Sequence, residues 1–276
     1  MKDEKLTLRD KFWLWGHPEG CYNNMYGNTG ISRMTPMEAC LYLEVRNTFM
    51  VPDGQHENVK VNNRQYNKSF KTLRQVGWEF GGASINSHGN TDSINEFLAD
   101  AKDFPNIGCA VFDDFKSGNR YKEVPLENLL KIHDKFHNNE VRRLDTWMVL
   151  YTHQFGYDAE EDAAFQPYLD SFDGVIMWTW RESDVHLIPE KFEILKKMTP
   201  NTRRMFGCYL WNFGEEKEAT AEKVKWQLDW YRERILAGEA EGVVLHTNTM
   251  ADLDYEAYDA ACEWMDEHGD EPCPEN

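Results

Sequence analysis

The pattern that most narrows the fold is an alternation repeated along the chain: a short apolar run, a polar or Gly/Pro-rich break, then apolar residues at helical spacing. Phe12, Trp13, Leu14 and Trp15 open it as a first strand, and period-two alternation puts Trp13, Trp15 and His17 on one face. After a loop rich in Gly and Asn that carries Tyr22 and Tyr26, the residues Thr35, Pro36 and Glu38 mark a helix start. Thr35 serves as N-cap, Pro36 takes the first helical position and Glu38 closes a capping box. That helix leads to a second strand at 47–51, ended by Pro52, Asp53 and Gly54. Phe70, Leu73 and Val76 predict a helix over 66–76, followed by strand three at 79–85, where Gly81, Gly82 and Ala83 allow close backbone approach. Thr91 or Ser93 caps the next helix, with Ile94, Phe97, Leu98 and Ala101 facing inward, and Pro105 stops it before strand four at 107–115.

The alternation then continues. Pro125 begins a helix with Leu126, Leu129, Leu130 and Phe136 on one side. Further strands are expected at 146–153, 174–180, 205–212 and 242–246, and helices at 163–169, 189–198, 220–236 and 253–267. Eight apolar runs, each followed by a helix, in 276 residues predict a single (β/α)8 TIM barrel over 1–276 with a short acidic C-terminal tail. A doubly wound open sheet is the competing fold, but no strand is followed by a G-x-G-x-x-G or P-loop phosphate turn.

A formal net charge of -18 argues against nucleic acid or an anionic membrane surface as partner, since both require basic patches. The six cysteines are widely separated with no C-x-x-C pair, so reduced thiols in a cytoplasmic protein are expected. The first residues hold no apolar leader, and no run of about 18 apolar residues predicts a membrane span. Nothing in the chain signals a cofactor, and none is expected.

In a barrel, the residues following each strand form one mouth, where active sites sit. Those positions here are Trp15 and His17; Asp53; Ser84 and Asn86; Asp113 and Asp114; Tyr151 and His153; Trp178, Trp180, Arg181 and Glu182; Trp211 and Asn212; His246 and Asn248. With 10 Trp, 12 Tyr and 15 Phe in the chain, aromatic residues supply either core volume or flat faces for sugar rings. Acids, amides and aromatics together predict a carbohydrate ligand. Trp15, Trp180 and Trp211, at the outer ends of their strands, are the candidate platforms, with His17, Asn86, Tyr151, His153, Asn212, His246 and Asn248 as further binding residues.

Glycoside cleavage needs one carboxyl kept protonated and a second group to support positive charge at the anomeric carbon. Asp113 and Asp114 can supply both, provided that strand four breaks at the pair, because adjacent residues of a regular strand face opposite ways. Mutual repulsion then keeps one protonated. The bland alternative is that Asp114 caps the turn into Lys116, Ser117 and Gly118. A second alternative uses His17, Asp113, His153 and His246 as metal ligands in a sugar isomerase or hydrolase, although no H-x-H or H-E-x-x-H motif is present. A third is a glycan-binding barrel without catalysis.

Three segments carry a resemblance: Ala110-Val111-Phe112-Asp113-Asp114-Phe115, Val175-Ile176-Met177-Trp178-Thr179 and Leu210-Trp211-Asn212-Phe213. They resemble segments of the O-GlcNAcase and bacterial hyaluronidase-like family of β-N-acetylglucosaminidases. The resemblance implies a barrel with tandem aspartates after strand four and substrate-assisted hydrolysis, the sugar's acetamido oxygen being the nucleophile. It further implies that Asp113 orients the acetamido nitrogen, Asp114 is general acid and then base, Tyr151 lies near the reacting acetamido group and Asn212 binds a hydroxyl. Where that family has Gly-Pro after Trp-Thr, this chain has Trp180-Arg181-Glu182. Glu182 therefore offers a second pairing, with Asp113 or Asp114, whose separation would set the stereochemistry.

Overall fold

The computed structural model describes residues 5–52, 62–80 and 91–273. Eight parallel strands close into a barrel, β1 (Phe12–Gly16), β2 (Asn47–Met50), β3 (Gln75–Glu79), β4 (Ile107–Phe112), β5 (Asp145–Tyr151), β6 (Gly174–Trp178), β7 (Arg203–Tyr209) and β10 (Gly242–His246). Two short strands, β8 (Trp211–Asn212) and β9 (Lys217–Glu218), form an antiparallel pair of their own. Among the described residues the α-helices are α1 (Pro36–Tyr42), α2 (Asn63–Ser69), α3 (Thr91–Asp103), α4 (Leu126–His137), α5 (Ala159–Leu169), α6 (Ile188–Met198), α7 (Ala221–Leu236) and α8 (Glu256–His268). The expected barrel is thus the observed fold.

By its contacts the chain divides into two units, one of residues 1–61, 179–185 and 204–276, the other of 62–178 and 186–203. In the first, β1 lies between β10 and β2, with Trp15 in register with His246 and Leu14 with Thr48. Leu14, Phe49, Phe206 and Val244 are wholly buried there. The capping box at α1 forms as the sequence dictates: Thr35 Oγ1 accepts from the Glu38 amide at 3.3 Å, and Glu38 Oε2 accepts from the Thr35 amide at 2.8 Å. In the second unit, β3, β4, β5 and β6 pair in order, with Glu79 opposite Val111 and Tyr151 opposite Trp178.

Four expectations need correction. The apolar spacing of Phe70, Leu73 and Val76 belongs to a short 3-10 turn, Phe70–Thr72, running into β3, where Val76 pairs with Ile107. Pairing with β4 overrides the local helical pattern, and Trp78 Nε1, donating to Asn67 Oδ1 at 2.8 Å, ties the strand to α2. Strand three therefore ends at Glu79 rather than beginning there, and 81–85 lie outside the described residues. Strand seven stops at Tyr209, so Trp211 and Asn212 belong to the β8–β9 pair. Leu130 is exposed, on the outer side of α4.

Packing at the start of β6 is tight enough to be tested. A Cβ at Gly174 would lie 2.2 Å from Trp147 Cε3, an indole that is itself buried at 3% exposure. Gly174→Ala should cost about 1–3 kcal/mol through overpacking. A urea unfolding midpoint equal to that of the parent would show that the indole moves aside freely.

Candidate active site

β4 ends at Phe112, and the chain then turns sharply. Asp114 has φ +52°, in the left-handed region that Asp tolerates better than most residues. This break suspends the strand's alternation, and Asp113 and Asp114 are both half-buried. Phe112 and Phe115 hold the turn from either side; both are buried, and Phe112 also packs edge-on to Phe172 with centroids 5.1 Å apart. Ser117 fixes Asp114 twice, through an amide donated to the Asp114 carbonyl at 3.0 Å and a hydroxyl donated to Oδ1 at 3.0 Å. Arg120 Nη1 stands 3.8 Å from Asp114 Oδ2. The turn-capping role expected as the bland alternative is therefore real, and it coexists with an accessible carboxylate.

Asp113 is the electrostatically unusual member. Burial pushes its carboxyl well above the ordinary 3.8, and the negative charges of Asp114 and Glu79 push it further. An amide donated by Asp114 and the Arg120 charge pull the other way without reversing the shift. Glu79 is the residue that sequence reasoning missed. As the last residue of β3 it lies opposite Val111, two positions before Asp113. Its alternating neighbours Val76 and Trp78 were the available signal for a strand ending there.

Tyr151, at the end of β5, is half-buried, and its ring stacks on exposed His153 with centroids 5.4 Å apart. Gln154 links this corner to the acids: Oε1 accepts from the Tyr151 amide at 3.0 Å, while Nε2 donates to Ser117 Oγ at 3.0 Å. A cleft of about 270 Å³ opens beside it, lined among others by Lys116, His153, Gln154, Tyr157, Glu161 and Asp162. Lys116 is buried, bonded to the Gln154 carbonyl, 3.5 Å from Asp162 and over the Phe165 ring.

The remaining candidates fall in the other unit. Trp15 is 3% exposed and packs against Phe49, and Trp211, equally buried, donates Nε1 to the Tyr26 carbonyl at 2.9 Å. Both rings are packed within their unit, so as placed neither offers a face to a sugar; Trp180 is half-buried and stacks on Phe213 with centroids 5.9 Å apart. Asn248 grips the backbone of His17, accepting its amide at 2.8 Å and donating to its carbonyl at 3.0 Å. Asn212 is buried and donates to Glu215 Oε2 at 3.1 Å. Glu182 is engaged at the start of α7: its Oε1 accepts the Thr220 amide at 2.7 Å and the Thr220 hydroxyl at 2.8 Å. A carboxylate there also complements the helix dipole. A space of about 10 Å³ among Trp180, Glu182, Trp211 and Asn212 would take no more than a water. Asn86, with Asp53 and Ser84, lies outside the described residues.

No family model matches the chain, and no curated protein matches it. Solved structures do. Active domain 2 of a thermostable chitinase from Pyrococcus furiosus, complexed with chito-oligosaccharides, superposes with a TM-score of 0.60 at 12% identity, over 96% of this chain and 97% of that one. A GH99 endo-alpha-mannosidase from Bacteroides thetaiotaomicron gives 0.57 at 10% identity over 95% and 98%. Tryptophan synthase from M. tuberculosis gives 0.52 at 11% identity over 93% and 92%. Likeness at this level of identity establishes the barrel and leaves the chemistry to the site.

Among the described residues no three His, Cys, Asp or Glu side chains converge as metal ligands, so the set His17, Asp113, His153 and His246 does not assemble. No helix among them is long and apolar enough to cross a membrane.

The Asp113 shift has a thermodynamic consequence with a definite sign. Its folded value lies above the unfolded 3.8, so between the two the folded state holds the extra proton and stability falls as pH rises. Asp113→Asn, which cannot ionise, should therefore raise Tm at neutral pH, on the order of 2–4 °C if the relief is about 1 kcal/mol. The gain should vanish as the pH approaches 3.8. A thermal melt series showing a pH-independent difference would contradict the assignment.

Proposed function

We propose that this chain is a glycoside hydrolase whose proton chemistry is carried by Asp113 and Asp114. The observation that carries the reading is the turn that ends β4: it sets Asp113, whose pKa is raised by burial and by two neighbouring charges, beside a second carboxyl held by Ser117 and faced by Arg120. Acid and anion from one residue type is the division of labour that glycosidic cleavage requires. Asp113 gives its proton to the departing oxygen as the C–O bond at the anomeric carbon breaks. Asp114 faces the positive charge that develops. Water then adds to that carbon, and its proton returns to Asp113.

The finer reading is an N-acetylhexosaminide substrate whose acetamido oxygen is the nucleophile. Here Asp114 accepts the acetamido N–H and Tyr151 borders the acetamido group. This assignment exchanges the roles that the resemblance implies, since the electrostatics favour Asp113 as proton holder. The occurrence of the same barrel in a chitinase and a mannosidase supports a carbohydrate reading; its occurrence in tryptophan synthase is why the acids, not the fold, carry it. His153, exposed beside Tyr151 in the same unit as the acids, is the proposed contact to the sugar.

Leaving-group dependence separates the roles. On N-acetylhexosaminides with poor leaving groups, Asp113→Asn should lower kcat/KM by about 10²–10⁴, the usual contribution of general acid catalysis. On activated aryl glycosides, whose leaving group needs no proton, the same variant should lose far less, while Asp114→Asn should lose equally on both. If Asp114→Asn is the variant spared, the roles are those of the resemblance. Undiminished turnover in both variants would exclude this pair as the catalytic machinery.

A further inference from the structure

The cluster that the acid pair leaves unexplained is His17, His246 and Tyr22. His17 follows β1 and His246 ends β10, and the register of Trp15 with His246 brings the two imidazoles together. Both rings are buried, at 3% and 5% exposure, and Tyr22 from the loop after β1 is half-buried. His17 Nδ1 lies 2.8 Å from the Val51 carbonyl, which can only accept, so Nδ1 carries the proton and Nε2 is the basic nitrogen. That nitrogen is 3.5 Å from His246 Nε2 and 3.2 Å from Tyr22 Oη.

A histidine with Nδ1–H bonded to a backbone carbonyl and Nε2 turned towards other donors has the arrangement of a metal ligand with its outer support in place. The spacing agrees. A tetrahedral ion with bonds of about 2.0–2.1 Å to imidazole nitrogen holds its ligands about 3.3–3.4 Å apart, close to the two separations observed. The Asn248 amide bonds at 2.8 and 3.0 Å fix the His17 backbone, so this ligand is pre-positioned. Phe213 and Tyr209 wall the pair, their ring centroids 4.8 and 5.0 Å from that of His246.

We propose that His17 Nε2, His246 Nε2 and Tyr22 Oη form a binding site for a late first-row divalent cation such as Zn²⁺. On binding, the His246 proton resides on Nδ1 and the Tyr22 phenol releases its proton to solvent, so two imidazoles and one phenolate hold the ion. A fourth tetrahedral position is left for water or another oxygen ligand. Imidazole donors suit zinc, copper and nickel, whereas calcium and magnesium prefer all-oxygen sets. This site is independent of the glycosidase reading and stands or falls without it.

The test uses the full chain without a polyhistidine tag, stripped with chelator and titrated calorimetrically with ZnCl₂. One equivalent should bind, and saturating Zn²⁺ should raise Tm by preferential binding to the folded state. His17→Ala should abolish both effects. Tyr22→Phe keeps the ring packing and removes only the oxygen; it should fold normally and weaken binding at least tenfold. Absence of stoichiometric binding to the parent overturns the proposal, as does parent-like affinity in either His17→Ala or Tyr22→Phe.

Discussion

Burial and two neighbouring negative charges each raise a carboxyl group's affinity for a proton, and the local structure around Asp113 imposes both. Three features must coincide. β3 has to end in register with β4 so that Glu79 falls opposite Val111. The backbone has to leave the strand at Asp114, whose φ of +52° is incompatible with continued alternation. Phe112 and Phe115 have to be buried on either side, which holds the turn in place. Were Asp113 ionised, its carboxylate would bear the desolvation penalty of a buried charge and two repulsions at once. A proton on Asp113 removes all three, which is why its pKa is raised.

The aromatic richness of the chain resolves mainly into packing. Tyr22, Tyr26, Tyr209 and Phe213 meet one another and His246 at centroid separations of 4.8–5.7 Å, largely edge to face. Such contacts add to burial and fix ring orientation. In the second unit Phe80, Phe97, Phe112, Phe115, Phe136 and Phe172 do the same around the root of the acid pair. The acids thus stand on a stiff aromatic base. Composition alone could not separate this use of rings from sugar stacking, because both draw on the same residues.

What the sequence made legible was local. The Thr35–Glu38 capping box is written within four residues, and its hydrogen bonds form as written. The repeated alternation yields the barrel, because each strand and helix carries its own period. The acid pair stood out because its two residues are adjacent. The missed features depend on partners remote in sequence. Glu79 matters through Val111 and Asp113, and Val76 is a strand residue only because Ile107 pairs with it. Tyr22 matters through His17 and His246, 229 residues apart. Glu182 looked like a candidate acid until Thr220, 38 residues later, took its oxygen.

That engagement of Glu182 bears on mechanism. Retaining and inverting glycosidases with two enzyme carboxylates rely on separations of about 5–5.5 or 6.5–9.5 Å, set by elements facing one another across the sugar. Glu182 would have to break its two hydrogen bonds to Thr220, the N-cap residue of α7, to serve as such a partner. Asp113 and Asp114 share one backbone turn, in which the amide of one already bonds the carboxyl of the other. Adjacent acids can protonate a leaving group and support charge, but both approach the sugar from the same piece of chain. A reaction in which the substrate brings its own nucleophile asks for nothing on the opposite face. That is the ground on which substrate assistance is proposed for this pair.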